Sequence, residues 1–443
     1  MAAAGLAWIL FAPGRTWGQG QTWAGGNLQK MVEDSRWRLG ALRVNAAFSL
    51  ASAGYDSDIY FGFLPERVPD VLASAATPVQ VILPLNKKAV IDVSDRPEYV
   101  FYLDTRRERS WNNTLSGRVH VVLERIYVQA GGGMSSVQRR LSPELDLNVR
   151  QESVSLSGLV LWQASKTISL AFLYEGAQYS YPEDVYYEAL SLADRLNRNE
   201  EYLDLIAYVQ PSAKVRFSLD AQYGSYQFRS DATGLRDADS YAVFAGAEFI
   251  PAERDIPIVR GFQGAATLGY MRLDMRDSFF RDSSGLVGEA VVMARLSKRM
   301  SGQVLFSRGY QFSIYSGASY FFSTTMGAGL TRHLSKKADL TYDFTYGRTS
   351  YPEFGQGDQA ADRYYRYLTH GLRLGLRLAR HLGMAFYGSY GQRDRGAYEP
   401  IRDRFFAGVS LFFGAAGEGL SVPARGGSQR QAIGSGFAKA AKL

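Results

Sequence analysis

The chain has 443 residues, with 28 Tyr, 25 Phe and 45 Gly against only 14 Pro, and no Cys. That aromatic content excludes a disordered chain, and the missing cysteines exclude disulfides, thiolate metal sites and a cysteine nucleophile. The formal charge of +7 marks no nucleic-acid binder: Arg15 and the surplus of the C-terminal stretch (Arg425, Arg430, Lys439 and Lys442 against Glu418) supply more than half of it.

Residues 1–24 read as a signal peptide. Residues 2–11 (AAAGLAWILF) form an apolar core of suitable length, with small residues after it at Gly18 and Ala24, although the positively charged n-region is missing. Residues 25–36 follow as an N-terminal segment expected on the periplasmic side. No later apolar run reaches the roughly 20 residues of a membrane-spanning helix. Instead, residues 37–413 hold about eighteen segments that alternate apolar and polar residues, which places one set on each face of a strand.

The alternation is plain at 216–223 (RFSLDAQY), 339–346 (DLTYDFTY) and 371–378 (GLRLGLRL). Periodic stretches of about 9–13 residues match a tilted strand crossing a bilayer, and exceed the 5–6 residues usual in a soluble sandwich. Tight, mostly basic turns at 86–88, 165–166, 212–214, 297–299, 335–337 and 380–381 alternate with longer polar loops at 181–200, 230–239, 276–285, 349–363 and 393–402. Short turns at one end and long loops at the other are the layout of outer-membrane barrels. The expected fold is therefore all-β: a transmembrane antiparallel up-and-down β-barrel of about 18 strands, with 16 as the alternative count.

Aromatics near the strand ends (Tyr99 to Tyr102, Tyr179 and Tyr181, Tyr223 and Tyr226, Tyr315, Tyr320 to Phe322, Tyr364 to Tyr367) are expected to form interfacial girdles. Within the longest loop, residues 189–196 (ALSLADRL) read as one short helix that folds over the pore mouth. Residues 404–413 (RFFAGVSLFF) look like a closing strand ending on an aromatic, yet residues 414–443 continue as a Gly/Ala-rich basic tail expected to be disordered.

The chain resembles the putative β-barrel porin family associated with exopolysaccharide gene clusters of Gram-negative bacteria. The resemblance rests on 37–60 (WRLGALRVNAAFSLASAGYDSDIY), on 97–113 (PEYVFYLDTRRERSWNN) and on the paired hairpins up to Phe413. It implies an outer-membrane barrel linked to surface polysaccharide, and it carries over no catalytic residues.

If the leucines face lipid, the opposite set lines a lumen: Arg118 and His120, Arg216 and Asp220, Asp339 and Asp343, Arg373 and Arg377. A lipid-facing Arg or Lys costs roughly 2–4 kcal/mol at the bilayer midplane, which forces these charges inward. A lumen of mixed charge suits hydrophilic solutes, and inward Tyr and Phe could stack on sugar faces. Alternatively these charges pair across strands and brace or plug the barrel. A lipid hydrolase would need a Ser–His grouping around His120 or His370, and no serine lies beside His370 in its strand. Glu144, Asp146 and Asn148 offer oxygen ligands but lack the glycine-turn spacing of a calcium loop. Gly131, Gly132 and Gly133 have no phosphate-loop context and point to close strand approach.

The sequence thus describes a bacterial outer-membrane porin-like channel for exopolysaccharide or other hydrophilic solutes. The alternative is a plugged barrel docking an export assembly. No catalytic residue, metal or cofactor is expected; the partners are the lipid bilayer, with polysaccharide and periplasmic export components beside it, and no nucleic acid.

Overall fold

The computed structural model describes residues 28–414 apart from residues 30, 62–65, 141, 146, 188–189, 213, 230–235, 250–262, 278–279, 316–317, 352–364 and 395–400. The signal peptide, nearly all of the tail and Asp146 lie outside the described residues.

Eighteen antiparallel strands close into one barrel. Three of the strands are broken: β1 (Leu42–Ala46 and Phe48–Asp56), β2 (Asp70–Ala76 and Val79–Pro84) and β3 (Ala89–Asp95 and Glu98–Tyr102). The rest are β4 (Ser110–Val122), β5 (Ile126–Arg139), β6 (Val149–Gln163), β7 (Ile168–Ser180), β8 (Arg198–Ser212), β9 (Val215–Phe228), β10 (Ala238–Phe249), β11 (Gln263–Met275), β12 (Ser283–Ser297), β13 (Met300–Phe312), β14 (Tyr320–His333), β15 (Ala338–Ser350), β16 (Arg366–Ala379), β17 (Leu382–Asp394) and β18 (Arg402–Phe413). A short strand, Trp37–Leu39, pairs with the start of β1.

The breaks have a local cause. Pro78 interrupts β2 and Pro97 interrupts β3, because proline has no N–H for the ladder. Their carbonyls stay in use, accepting from Ala47 N–H (3.0 Å) and Thr77 N–H (3.1 Å), so the irregularity runs sideways through three neighbouring strands.

Closure is made by β18 on β1, in register from Phe413↔Phe48 to Phe406↔Asp56 around a bulge. Ser52 takes a positive φ of 56° there. A Cβ on Gly54 would lie 2.1 Å from the Ala407 carbonyl oxygen, so the seam needs glycine at that position. The glycine run of β5 is a second close approach, as a Cβ on Gly133 would lie 2.8 Å from the Leu115 carbonyl oxygen on β4.

Side chains sort by strand parity. Leu156, Leu219, Leu268, Val304 and Leu372 are all more than half exposed and form an apolar outer belt. Exposed aromatics flank it, with Trp37, Phe48, Trp162 and Phe413 toward the short turns and Tyr55, Trp111, Tyr241, Tyr270 and Phe405 toward the long loops.

Parity also corrects the girdle expectation. Tyr102, Tyr181, Tyr226, Tyr315, Tyr320, Phe322 and Tyr365 are buried inside. Tyr223 and Tyr226 stand three apart on one strand and so point to opposite faces. Only the Tyr223 face looks outward, where its ring lies 5.4 Å from that of Tyr241 on the neighbouring strand. Tyr364 lies outside the described residues.

Candidate functional site: the lumen and its outer closure

All eight charged positions singled out from sequence sit on the face opposite the exposed apolar belt, in local patches. On β3–β5, His120 Nε2–H donates to Asp92 Oδ1 (3.0 Å), and His120 Nδ1 lies 2.7 Å from the Tyr127 hydroxyl. Gln80 Nε2 donates to the other Asp92 oxygen (3.2 Å), and the charge of Arg118 acts on the same carboxylate. Arg216 is ion-paired with Glu248 of β10, with its guanidinium 4.9 Å from the Tyr208 ring centroid. Asp220 is cross-strand from Ile206 and Phe244 rather than from a basic residue.

Asp339 and Asp343 act together on Arg373 of the adjacent strand, while Asp339 also bonds His333. Arg377 stands at the short-turn end of β16, where its backbone N–H donates to the Lys337 carbonyl (2.7 Å). The structure therefore assembles the Arg118–His120 patch and the Asp339–Asp343–Arg373 patch. Arg216 is joined to Glu248 instead of to either patch, and Arg377 stands at its strand end.

The histidines are held by other groups than a hydrolase needs. His370 faces outward, its Nδ1 2.8 Å from the Tyr342 hydroxyl and its ring 5.4 Å from Phe344. Among the described residues, no serine hydroxyl bonds to His120 or His370, and no cluster of three metal-ligating side chains occurs. Glu144 is fully buried and serves as a loop anchor, and Asn148 donates to Glu108 (3.1 Å).

The feature that strand alternation did not reveal is at the long-loop end. The β12–β13 ladder stops at Gly288↔Arg308, whereas the β13–β14 ladder continues to Phe312↔Tyr320. From Gly309 to Tyr315 and from Ala318 to Ser323, every residue is buried, on both faces of the hairpin. Once free of β12, the hairpin tip bends inward and turns its outer face onto the inner wall. Tyr310, Phe312, Tyr320 and Phe322 join Tyr202, Tyr226, Phe228, Phe244 and Leu273 of that wall in one cluster. Tyr310 and Tyr226 share a hydroxyl hydrogen bond of 2.8 Å, and the Phe312 ring lies 5.0 Å from both Tyr226 and Phe228.

Other loops pack against the tip. The short helix α1 (Leu192–Leu196) is present in the longest loop, capped by Ser191. Its Leu192 and Leu196 are buried with Leu145, Tyr181, Ile314 and Tyr315.

Three charged side chains fasten this closure. Glu144 accepts from Ser313 Oγ (2.6 Å), Ile314 N–H (2.9 Å) and the Tyr351 hydroxyl (2.8 Å). Burial pushes its pKa above the ordinary glutamate range, opposed by these hydrogen bonds and by the charge of Arg236. Arg236 donates to the Arg195 carbonyl of α1 (2.6 Å) and to the Ser313 and Ser319 carbonyls of the hairpin. Arg198 is fully buried, paired with Glu200 (2.6 Å); it donates to the Leu196 carbonyl (3.0 Å) and lies 5.3 Å from the Phe312 ring.

One signal of this closure was readable. Residues 309–323 (GYQFSIYSGASYFFS) carry no charge and present aromatics at both parities, unlike the other long-loop hairpins.

Comparison with solved structures returns bacterial outer-membrane barrels. A protein described as a bacterial polysaccharide outer membrane secretin is 8% identical, over 84% of this chain and 98% of that chain, with a TM-score of 0.37. OccK2 (OpdF) of Pseudomonas aeruginosa, in complex with glucuronate, is 11% identical over 84% of this chain and 98% of that chain, with a TM-score of 0.47. The siderophore receptor PirA from Acinetobacter baumannii is 7% identical over 86% and 81%, with a TM-score of 0.43. No curated protein sequence matches the chain. The family described as "Putative beta-barrel porin 2" matches residues 65–394, about three quarters of the chain and all but the first and last strands, and the chain belongs to that family.

Proposed function

We propose that this porin-family barrel is a gated passage for hydrophilic solutes across the bacterial outer membrane. The observation that carries the reading is the pair of inward-folded hairpin arms at 309–315 and 318–323, fastened by Glu144 and Arg236 on the face opposite the exposed apolar belt. A barrel built only as scaffold has no need of a polar interior closed by polar fastenings. Glu144 holds the tip through three side-chain hydrogen bonds, so removing its carboxylate weakens the closure while the strand ladders of the wall stay in place. The family resemblance extends the reading to exopolysaccharide, for which the inward tyrosines would offer stacking surfaces and the charge patches hydrogen bonds.

A second reading, a plugged barrel that docks an export assembly, draws on the dense apolar packing of α1, Leu145 and Ile314 at the mouth. Single-channel recording in planar bilayers decides between them. A passage gives discrete steps that grow in size or frequency in Glu144→Ala, and added polysaccharide blocks them. A folded barrel silent in both forms refutes the passage and leaves the docking role.

A further inference from the structure

At the short-turn end, the inner wall has an apolar area that a water-filled channel does not explain. Ile82, Val90, Tyr127, Leu161, Ala171 and Ile206 occupy inward positions on β2, β3, β5, β6, β7 and β8, and each is less than a tenth exposed. What covers them is the chain's own N-terminal segment. Residues 28–29 and 31–33 are helical, and Leu28, Met31 and Val32 have the i, i+3, i+4 spacing of a single helix face. Leu28 is buried in the same cluster, with Met31 and Val32 packed against it. Gln29 and Glu33 stay exposed and bond to each other (2.7 Å). The turn ends with Ser35 Oγ donating to the Met31 carbonyl (3.0 Å), and Arg36 N–H then donates to Asn45 Oδ1 on β1 (2.9 Å), which directs the segment back into the barrel mouth.

We infer that residues 28–29 and 31–35 are a stopper: an amphipathic segment seated on a dedicated apolar site of the lumen wall, narrowing the inner mouth until it is displaced. Exposed to lumen water, the seat would forfeit the burial of six side chains, so wall and segment have matched surfaces. The seat adjoins the Asp92–His120–Tyr127 group, which fixes the Tyr127 ring beneath the segment. This inference rests on the passage reading for its consequence but not for its geometry.

The chain has no cysteine, so single-cysteine reporters are unambiguous. In the folded full-length barrel in detergent, a water-soluble maleimide should label Leu28→Cys at least about tenfold more slowly than Glu33→Cys, because the seat must open first. Ile206→Asp in the wall should remove that difference while the barrel still migrates as folded on an unheated gel. Met31→Cys is the second reporter if Leu28→Cys assembles poorly. Deletion of residues 25–35 should then raise the single-channel conductance. Equal labelling of Leu28→Cys and Glu33→Cys overturns the seat. Protected labelling with unchanged conductance on deletion overturns the stopper and leaves a structural contact. Protected labelling with no current in either form means that the passage reading has failed, while the seat stands.

Discussion

The assignment of faces is the foundation of everything inside the barrel, and Leu156 tests it most directly. Leu156 is the central residue of β6, is 60% exposed, and stands opposite Gly132 and Gly176, neither of which covers it. An arginine there has about 15 Å of hydrocarbon to cross on either side, half of the roughly 30 Å core, and its stem is too short to reach the headgroups. The charge costs about 2–4 kcal/mol at this depth, and loss of the leucine adds up to about 2, so Leu156→Arg should lose about 2–6 kcal/mol. The neighbouring Ser157 points inward opposite Glu175. Ser157→Arg gains an acidic neighbour in a polar lumen and should change stability by less than about 1 kcal/mol. The assay is urea unfolding of the barrel in phospholipid vesicles, followed by tryptophan fluorescence and by heat-dependent gel mobility. If Leu156→Arg is neutral while Ser157→Arg is severe, the faces are reversed, and Arg118, Arg216, Asp339 and Arg373 line no lumen.

Three further outcomes are expected. Because burial raises the Glu144 pKa, the protonated form is favoured in the closed mouth: its contribution is complete below the unfolded glutamate value and is lost as pH rises through the raised one. Hydrogen exchange in 309–323 should accordingly be better protected against opening near pH 4 than near pH 7 after correction for the intrinsic rate, and Glu144→Gln should flatten that difference; greater protection at pH 7 would refute the argument. Arg404→Met leaves the fully buried Asp56 carboxylate unpaired at the β18–β1 seam, which should cost about 3–5 kcal/mol in the same unfolding assay. Gly54→Val places a Cβ against the Ala407 carbonyl and should slow or prevent closure, seen as loss of the compact band on an unheated gel, whereas Gly158→Val, with open space around its Cβ, should assemble normally.

The cost of charge in hydrocarbon assigns these charged residues to one face, but their partners come from register. Arg373 meets Asp339 and Asp343 because β16 pairs with β15 at Arg373↔Thr341, between the two aspartates. Asp92, the partner of His120, was missed because it lies on β3, twenty-eight residues earlier. The tyrosines at strand ends differ from the girdle expectation for another reason. Tyrosine at a strand end has the same composition signal whether it points to lipid or into the lumen, and only parity counted from a fixed exposed residue separates them.

What the sequence determined by itself is the repeating local part of the problem. Period-two alternation sets the two faces of each strand, short and long connections set the two ends, and the cost of charge in hydrocarbon sets which face is inside. That suffices for a barrel of about eighteen strands with residues 404–413 as its closing strand. Tertiary structure decided where a strand stops being wall. The tip of β13–β14 leaves its neighbour because Glu144, 169 residues from Ser313, and Arg236 hold it across the mouth. Leu28, Met31 and Val32 pack on the inner wall because six apolar side chains from separate strands meet there. Alternation fixes a face only while the strand stays in the sheet, and contacts across such separations have no period along the chain to announce them.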